Sequence, residues 1–155
     1  MTYSFERTAL IPAPPEEVFA FFAEPDNLAL ITPKSMRLRK VRFDEPPVRA
    51  GFRVEYTIRW LFLRLTWVEV LPEWQPPERF VDVQVRGPYK SFRHEHLFEE
   101  REGETMMRDV VQYELPFGIL GSIAHRLIVA RQLKRIFDYR ARRIREIFAR
   151  ADVTV

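Results

Sequence analysis

The sequence contains no cysteine, which excludes disulfides, thiolate metal sites and thiol nucleophiles. Glycine is scarce, 5 residues in 155, while proline reaches 12. Such a chain turns on stiff loops, and a glycine-rich phosphate cradle is not expected. No apolar run approaches the roughly 18 residues that span a membrane. Met1 to Arg7 is mixed and polar, without the basic start and apolar core of a secretion signal. A soluble, cytoplasmic protein is the expectation. Walker loops, dinucleotide fingerprints, serine elbows and metalloprotease helices are all missing, and Ser35, Ser91 and Ser122 have no catalytic neighbourhood. Most cofactor enzymes drop out, and no cofactor is assigned.

What remains is globular: 46% hydrophobic and 30% charged residues over a length suited to one domain, residues 1–155. Aromatics are dominated by 13 Phe, which implies either a bulky core or an apolar cavity. Tyr3 to Ile11 reads as a strand, stopped by Pro12. Pro14 and Pro15 suit a first helical turn, Glu16 and Glu17 suit its positive end, and Val18, Phe19, Phe21 and Phe22 supply its apolar face. Pro25 ends that helix, and a second short one runs through Leu28 to Ile31 before Pro33.

The middle of the chain alternates as antiparallel strands do. Segments 52–60, 64–74, 79–86, 91–100 and 104–115 are the strong candidates, and 36–43 is a weaker one. From Ile119 to Arg150 no proline occurs, and apolar residues recur in steps of three and four from Leu120 to Phe148. That is one face of a long helix. The order is strand, two short helices, about six strands and one long helix, an α+β domain with a curved antiparallel sheet wrapped around its last helix.

Particular residues carry a family resemblance. Ile11-Pro12-Ala13-Pro14-Pro15-Glu16-Glu17-Val18-Phe19 resembles the opening of the START-like, or SRPBCC, superfamily, and Asp26-Asn27-Leu28 through Pro33 resembles its second helix. Arg86-Gly87-Pro88-Tyr89, His94-Glu95-His96-Leu97-Phe98 and Leu115-Pro116-Phe117-Gly118 are similar to a bacterial subgroup of small ligand-binding proteins. The resemblance spans the chain. It implies the helix-grip fold and a cavity for an apolar ligand such as a lipid, polyketide or quinone-like molecule. It implies no reaction, because polyketide cyclases and coenzyme Q-binding carriers share it.

Pleat parity assigns the cavity wall. A two-residue turn at Glu102-Gly103 pairs Phe98 with Met107, His96 with Asp109, His94 with Val111 and Phe92 with Tyr113, all on one face. A short turn near Phe62-Leu63 pairs Tyr56 with Glu69 and Ile58 with Trp67, placing Trp67 and Glu69 inside. For 79–86 two readings stand. Hydrophobicity turns Val81, Val83 and Val85 inward, whereas a three-residue turn brings in Asp82 and Gln84 and leaves the valines as an apolar patch for dimerisation. Leu127, Ala130, Leu133 and Phe137 form the helix wall.

His96 with Asp109 is the sharpest chemical feature, an anchor for the ligand, a self-satisfied buried pair or an acid–base couple. His94 has no evident partner, and His125 points away from the apolar stripe. Two imidazoles and one carboxylate would make a zinc site conceivable, but no metal ligand is assigned. The last helix is rich in arginine. A solvated outer face is favoured over a docking module, with no nucleic acid expected and only transient contact with an anionic membrane. Binding of a small apolar ligand by a monomer or homodimer is the function expected, with a cyclase- or hydratase-like enzyme as the alternative.

Overall fold

Alternating apolar and polar residues build one sheet because each strand buries every second side chain. The computed structural model describes residues 1–60, 62–116, 118, 123 and 128–151. Strands β1 (Thr2–Ile11), β2 (Arg39–Phe43), β3 (Arg53–Trp60), β4 (Leu63–Gln75), β5 (Arg79–Arg86), β6 (Ser91–Arg101) and β7 (Glu104–Glu114) pair antiparallel in the order β1-β7-β6-β5-β4-β3-β2. Helix α1 (Pro15–Phe22) follows β1, two short 3-10 turns (Pro25–Ile31 and Lys34–Met36) precede β2, and helix α2 (Ala130–Ala151) crosses the concave face. The helix-grip α+β fold expected from the sequence is the fold found.

Helix α1 starts where two prolines allow it. Pro15 occupies its first turn, where the missing N–H costs nothing, and Val18 and Phe19 are buried beneath it. The 22 residues of α2 span about 33 Å at 1.5 Å per residue. Its buried stripe is Leu133, Phe137, Ala141, Ile144 and Phe148. Phe137 meets Phe5 of β1 with ring centroids 5.1 Å apart, and Phe148 meets Phe21 of α1 at 5.8 Å. The helix is thereby pinned at both ends and bridges the sheet between them. The stretch expected to begin it contains Leu120, His125 and Leu127, which lie outside the described residues, and Ile123 is exposed.

Register decides which side chains face inward. The β6–β7 ladder pairs His96 with Asp109 and Arg101 with Glu104, as the turn rule requires. Glu102 and Gly103 both take positive φ there, the geometry of a type I′ hairpin. The β3–β4 register differs from the expected one by two residues: Tyr56 pairs with Trp67, and Val54 with Glu69. The longer β4 reaches back to Leu63 and tightens the turn. A two-residue shift preserves parity, so Trp67 and Glu69 still point inward.

Strand β5 resolves the open choice in favour of Asp82 and Gln84. Asp82 pairs with His94 and Phe80 with His96, placing both on the concave face. The valines take the other face. Val81 is fully buried there between Glu73 and Glu95, whose carboxylates bind Arg79 at 2.6 and 2.9 Å. Val85 alone of the three is exposed, so they do not form the continuous apolar patch that dimerisation through them would need.

Candidate functional site

Helix α2 does not fill the trough of the sheet. A cavity of about 180 Å³ remains, the liquid volume of about six waters at roughly 30 Å³ each. Its sheet walls are Phe52 just before β3, Val54, Tyr56 and Ile58 of β3, Trp67, Glu69 and Leu71 of β4, Phe80 and Asp82 of β5, and Phe92, His94 and His96 of β6. Leu133, Ile136, Phe137 and Arg140 close it from α2, and Leu28, Ile31 and Met36 close it from the 3-10 turns. Met36 and Ile136 also border an outer groove bounded by Arg59, Arg131 and Arg135.

Of the residues assigned from pleat parity, Tyr56, Trp67, Glu69, Phe92, His94, His96 and Phe137 lie on this wall. Phe98, Met107, Val111 and Tyr113 face the same side of the sheet but are packed into the core, and Asp109 stands behind the two imidazoles. Ala130 is half-buried and off the wall, and Leu127 is not among the described residues. Sequence reasoning missed Tyr89 and Arg140 and left Asp82 undecided. The Gly87-Pro88-Tyr89 signature was the available signal for Tyr89. Gln84 donates to the Tyr89 carbonyl at 2.9 Å and fixes that turn, while a Cβ at residue 87 would collide with the Gln84 side chain. Arg140 sits one turn beyond Phe137 at its edge, with the guanidinium carbon 5.0 Å from that ring, and nothing in its spacing distinguishes it from the solvated arginines.

One sector of the wall is polar. His94 Nε2 lies 2.8 Å from Asp109 Oδ1, so His94 does have a partner. His96 Nε2 lies 2.8 Å from Asp82 Oδ2. His96 also faces Asp109, as pleat parity requires, with Nδ1 3.1 Å from Asp109 Oδ1 but without hydrogen-bond geometry, so its hydrogen bond goes to Asp82 instead. The imidazoles overlap with centroids 3.7 Å apart, and His96 stacks on Phe80 at 4.0 Å. All four polar residues are buried.

The electrostatics follow from that packing. Burial, then the neighbouring His96, holds the His94 pKa below the ordinary imidazole value. Burial also opposes charge on His96, but Asp109 and Asp82 outweigh it and raise its pKa. Both carboxylates are held below their usual range because the imidazoles overcome the cost of burial. Glu69 goes the other way. Burial first, and then Asp82, lift its pKa to about 8, so at neutral pH it is a protonated acid that accepts from Trp67 Nε1 at 3.1 Å. Burial likewise raises the Tyr56 phenol, which stays neutral. Arg140 Nε is buried without a hydrogen-bond partner. The cavity thus offers an apolar body and one arc of donors and acceptors.

A curved sheet gripping a terminal helix around an interior hollow defines a ligand-cavity class of fold. Within that class the chain belongs to the polyketide cyclase/dehydrase and lipid transport family, whose model matches residues 2–149. No curated protein matches the sequence. Among solved structures it resembles the Zhui aromatase/cyclase from Streptomyces sp. R1128, with 13% identity, 97% of this chain and 95% of that one covered, and a TM-score of 0.78. The di-domain ARO/CYC StfQ of the steffimycin biosynthetic pathway is similar at 14% identity, covering 100% of this chain and 53% of that one, with a TM-score of 0.76. TTHA0849 from Thermus thermophilus is similar at 17% identity, covering 92% and 97%, with a TM-score of 0.70. At such identities these likenesses establish the fold alone. Among the described residues no helix is long and apolar enough to cross a membrane.

Proposed function

We propose that the protein binds one small, largely apolar molecule in this cavity, carrying or sequestering it, and orients it by a polar oxygen. The observation that carries this reading is the combination of an apolar hollow of about 180 Å³ with Arg140, whose buried Nε lacks a partner. Burying a donor without an acceptor costs about 1–3 kcal/mol, and a ligand carbonyl or carboxylate would remove that cost. Neutral Glu69 and Tyr56 extend the same arc without adding negative charge. Affinity would come from the aromatic walls and orientation from the arc. Two fold neighbours named as aromatase/cyclases make ring-bearing polyketide-like molecules a reasonable first ligand panel.

Native mass spectrometry of protein purified from cells tests this. A retained small molecule that is lost on Leu133→Trp, which fills the hollow, is the expected result. Absence of any adduct, together with failure of an environment-sensitive apolar dye to saturate at one per chain, would overturn it. A second reading, chemical conversion of the bound molecule, is favoured by one feature: the His94 and His96 rings lie on the cavity wall with carboxylates against them. A mass change in the extracted ligand on incubation with fresh protein, abolished by Asp109→Asn, distinguishes conversion from carriage.

A further inference from the structure

His94, His96 and Asp82 meet on the cavity wall from two adjacent strands, and their arrangement has an orientation that simple mutual satisfaction does not explain. Asp109 Oδ1 accepts from His94 Nε2 at 2.8 Å. In the neutral imidazole that leaves Nδ1 as the lone-pair nitrogen, and it faces Asp82 Oδ2 at 3.6 Å. Two electron-pair donors therefore confront each other inside the protein. His96 directs its Nε2 at the same Asp82 oxygen from 2.8 Å, while its Nδ1 lies on the Asp109 side. One nitrogen of each ring is thus turned to Asp109 and the other to Asp82. The ligand atoms of Asp82, His94 and His96 all lie within 4.8 Å of one another.

We propose that Asp82, His94 and His96 form a three-ligand site for a divalent transition-metal ion of the zinc type, with a fourth position open to the cavity. The ligand atoms are Asp82 Oδ2, His94 Nδ1 and His96 Nε2. Around a tetrahedral ion with bonds of about 2.0–2.2 Å, ligand atoms stand roughly 3.3 Å apart. The separations of 2.8 and 3.6 Å bracket that spacing, so small ring rotations seat the ion. Asp109 takes the outer role that metal-binding imidazoles require, accepting from His94 Nε2 at 2.8 Å and lying 3.1 Å from His96 Nδ1. Charge balances as well: two neutral imidazoles, two carboxylates and one dication sum to zero, suiting a buried cluster. The set of two nitrogens and one carboxylate oxygen favours zinc, cobalt, nickel or iron over calcium or magnesium. Pleat parity alone had placed Asp109 in the ligand role; the position of β5 supplies Asp82 and moves Asp109 behind.

This site is independent of the ligand-binding reading, and its failure would leave retained-ligand measurements untouched. The full-length protein, stripped with chelator, is titrated with Co²⁺ and followed by visible absorption and calorimetry. Saturation at one Co²⁺ per chain with ligand-field bands is expected. Asp82→Asn and His94→Gln should each weaken binding at least tenfold, Asp109→Asn about 10–100-fold, and His125→Ala should change nothing. Because the buried variants are open to misfolding, long-range ¹⁵N NMR of the wild-type imidazoles with Zn²⁺ reads the contact directly. Shifts at His94 Nδ1 and His96 Nε2 support the site. No saturable binding, or shifts confined to His125, overturns it.

Discussion

The two halves of the sheet solve different problems. Strands β1, β7 and β6 pair over ten and eleven residues without interruption, and no side chain of β1 or β7 lines the cavity. Strands β5, β4, β3 and β2 carry register shifts at Val68/Glu69, Val70/Glu73 and Lys40/Arg42, and most of the cavity's sheet wall comes from β3, β4 and β5. Each shift bends its strand and adds twist. Met107 and Val111, on the evenly paired β7, are buried in the core clusters that hold the apolar stripe of α2, whereas the hollow opens mainly against β3, β4 and β5. The hollow lies against the half of the sheet whose outer ladders are interrupted, although β3 and β4 pair evenly with each other.

The polar cluster lies on the border between those halves, and breaking it should have the largest effect. Asp109→Ala leaves two buried imidazoles facing an absent charge and should cost about 3–5 kcal/mol in urea unfolding. Glu69, on the irregular side, tests the opposite case. Its folded-state pKa of about 8 exceeds its ordinary 4.5, so between those limits the folded chain keeps a proton that the unfolded chain has lost. Stability should fall as pH rises through that window, with a slope of at most about 1.4 kcal/mol per pH unit. Asp82 widens that window by raising the folded-state value, while Trp67, His96 and Arg140 narrow it. Glu69→Gln should flatten this component of the pH profile and leave the variant more stable than the parent at pH 9, as denaturant titrations at several pH values would show.

The same substitution in each half sharpens the comparison further. Val111→Phe overpacks the closed half and should destabilise by about 1–3 kcal/mol. Val54→Phe points into the hollow, should cost clearly less than Val111→Phe, and should reduce dye capacity. Equal costs at the two sites would refute the contrast. A local effect is expected of Gly87→Ala, which displaces the Gln84 side chain from the Tyr89 backbone. A loss of about 1 kcal/mol and altered Tyr89 ring shifts in NMR are expected.

The regular half was also the legible half. A turn at Glu102-Gly103 and a period of two were enough to place Phe98 opposite Met107 and His96 opposite Asp109, because nothing interrupts that ladder. The β3–β4 register missed by two residues, since the length of a turn beside Phe62 cannot be read from composition, yet parity survived. Strand β5 was undecidable for a physical reason: both of its faces bury side chains, Val81 on one and Asp82 on the other, so hydrophobicity does not choose between them. Core and cavity residues could not be separated from sequence either. Phe92 and Phe98 share a face of one strand, but Phe19 and Phe22 of α1 cover Phe98 while Phe92 lines the hollow. Arg140 was hidden among the other arginines of α2 for the same reason: its role comes from where the helix crosses the sheet.

The outer face of β4, β5 and β6 carries a lattice of opposite charges in which Arg79, Glu73, Glu95 and Arg93 are joined at 2.6 to 3.5 Å. Each contact, partly screened by water, adds little to folding. Their collective effect is colloidal. Another molecule stacking flat against that surface would have to strip water from four ionic groups to reach Val81 beneath them. The uncovered side of the sheet is therefore, over these three strands, a costly place for a second layer to settle.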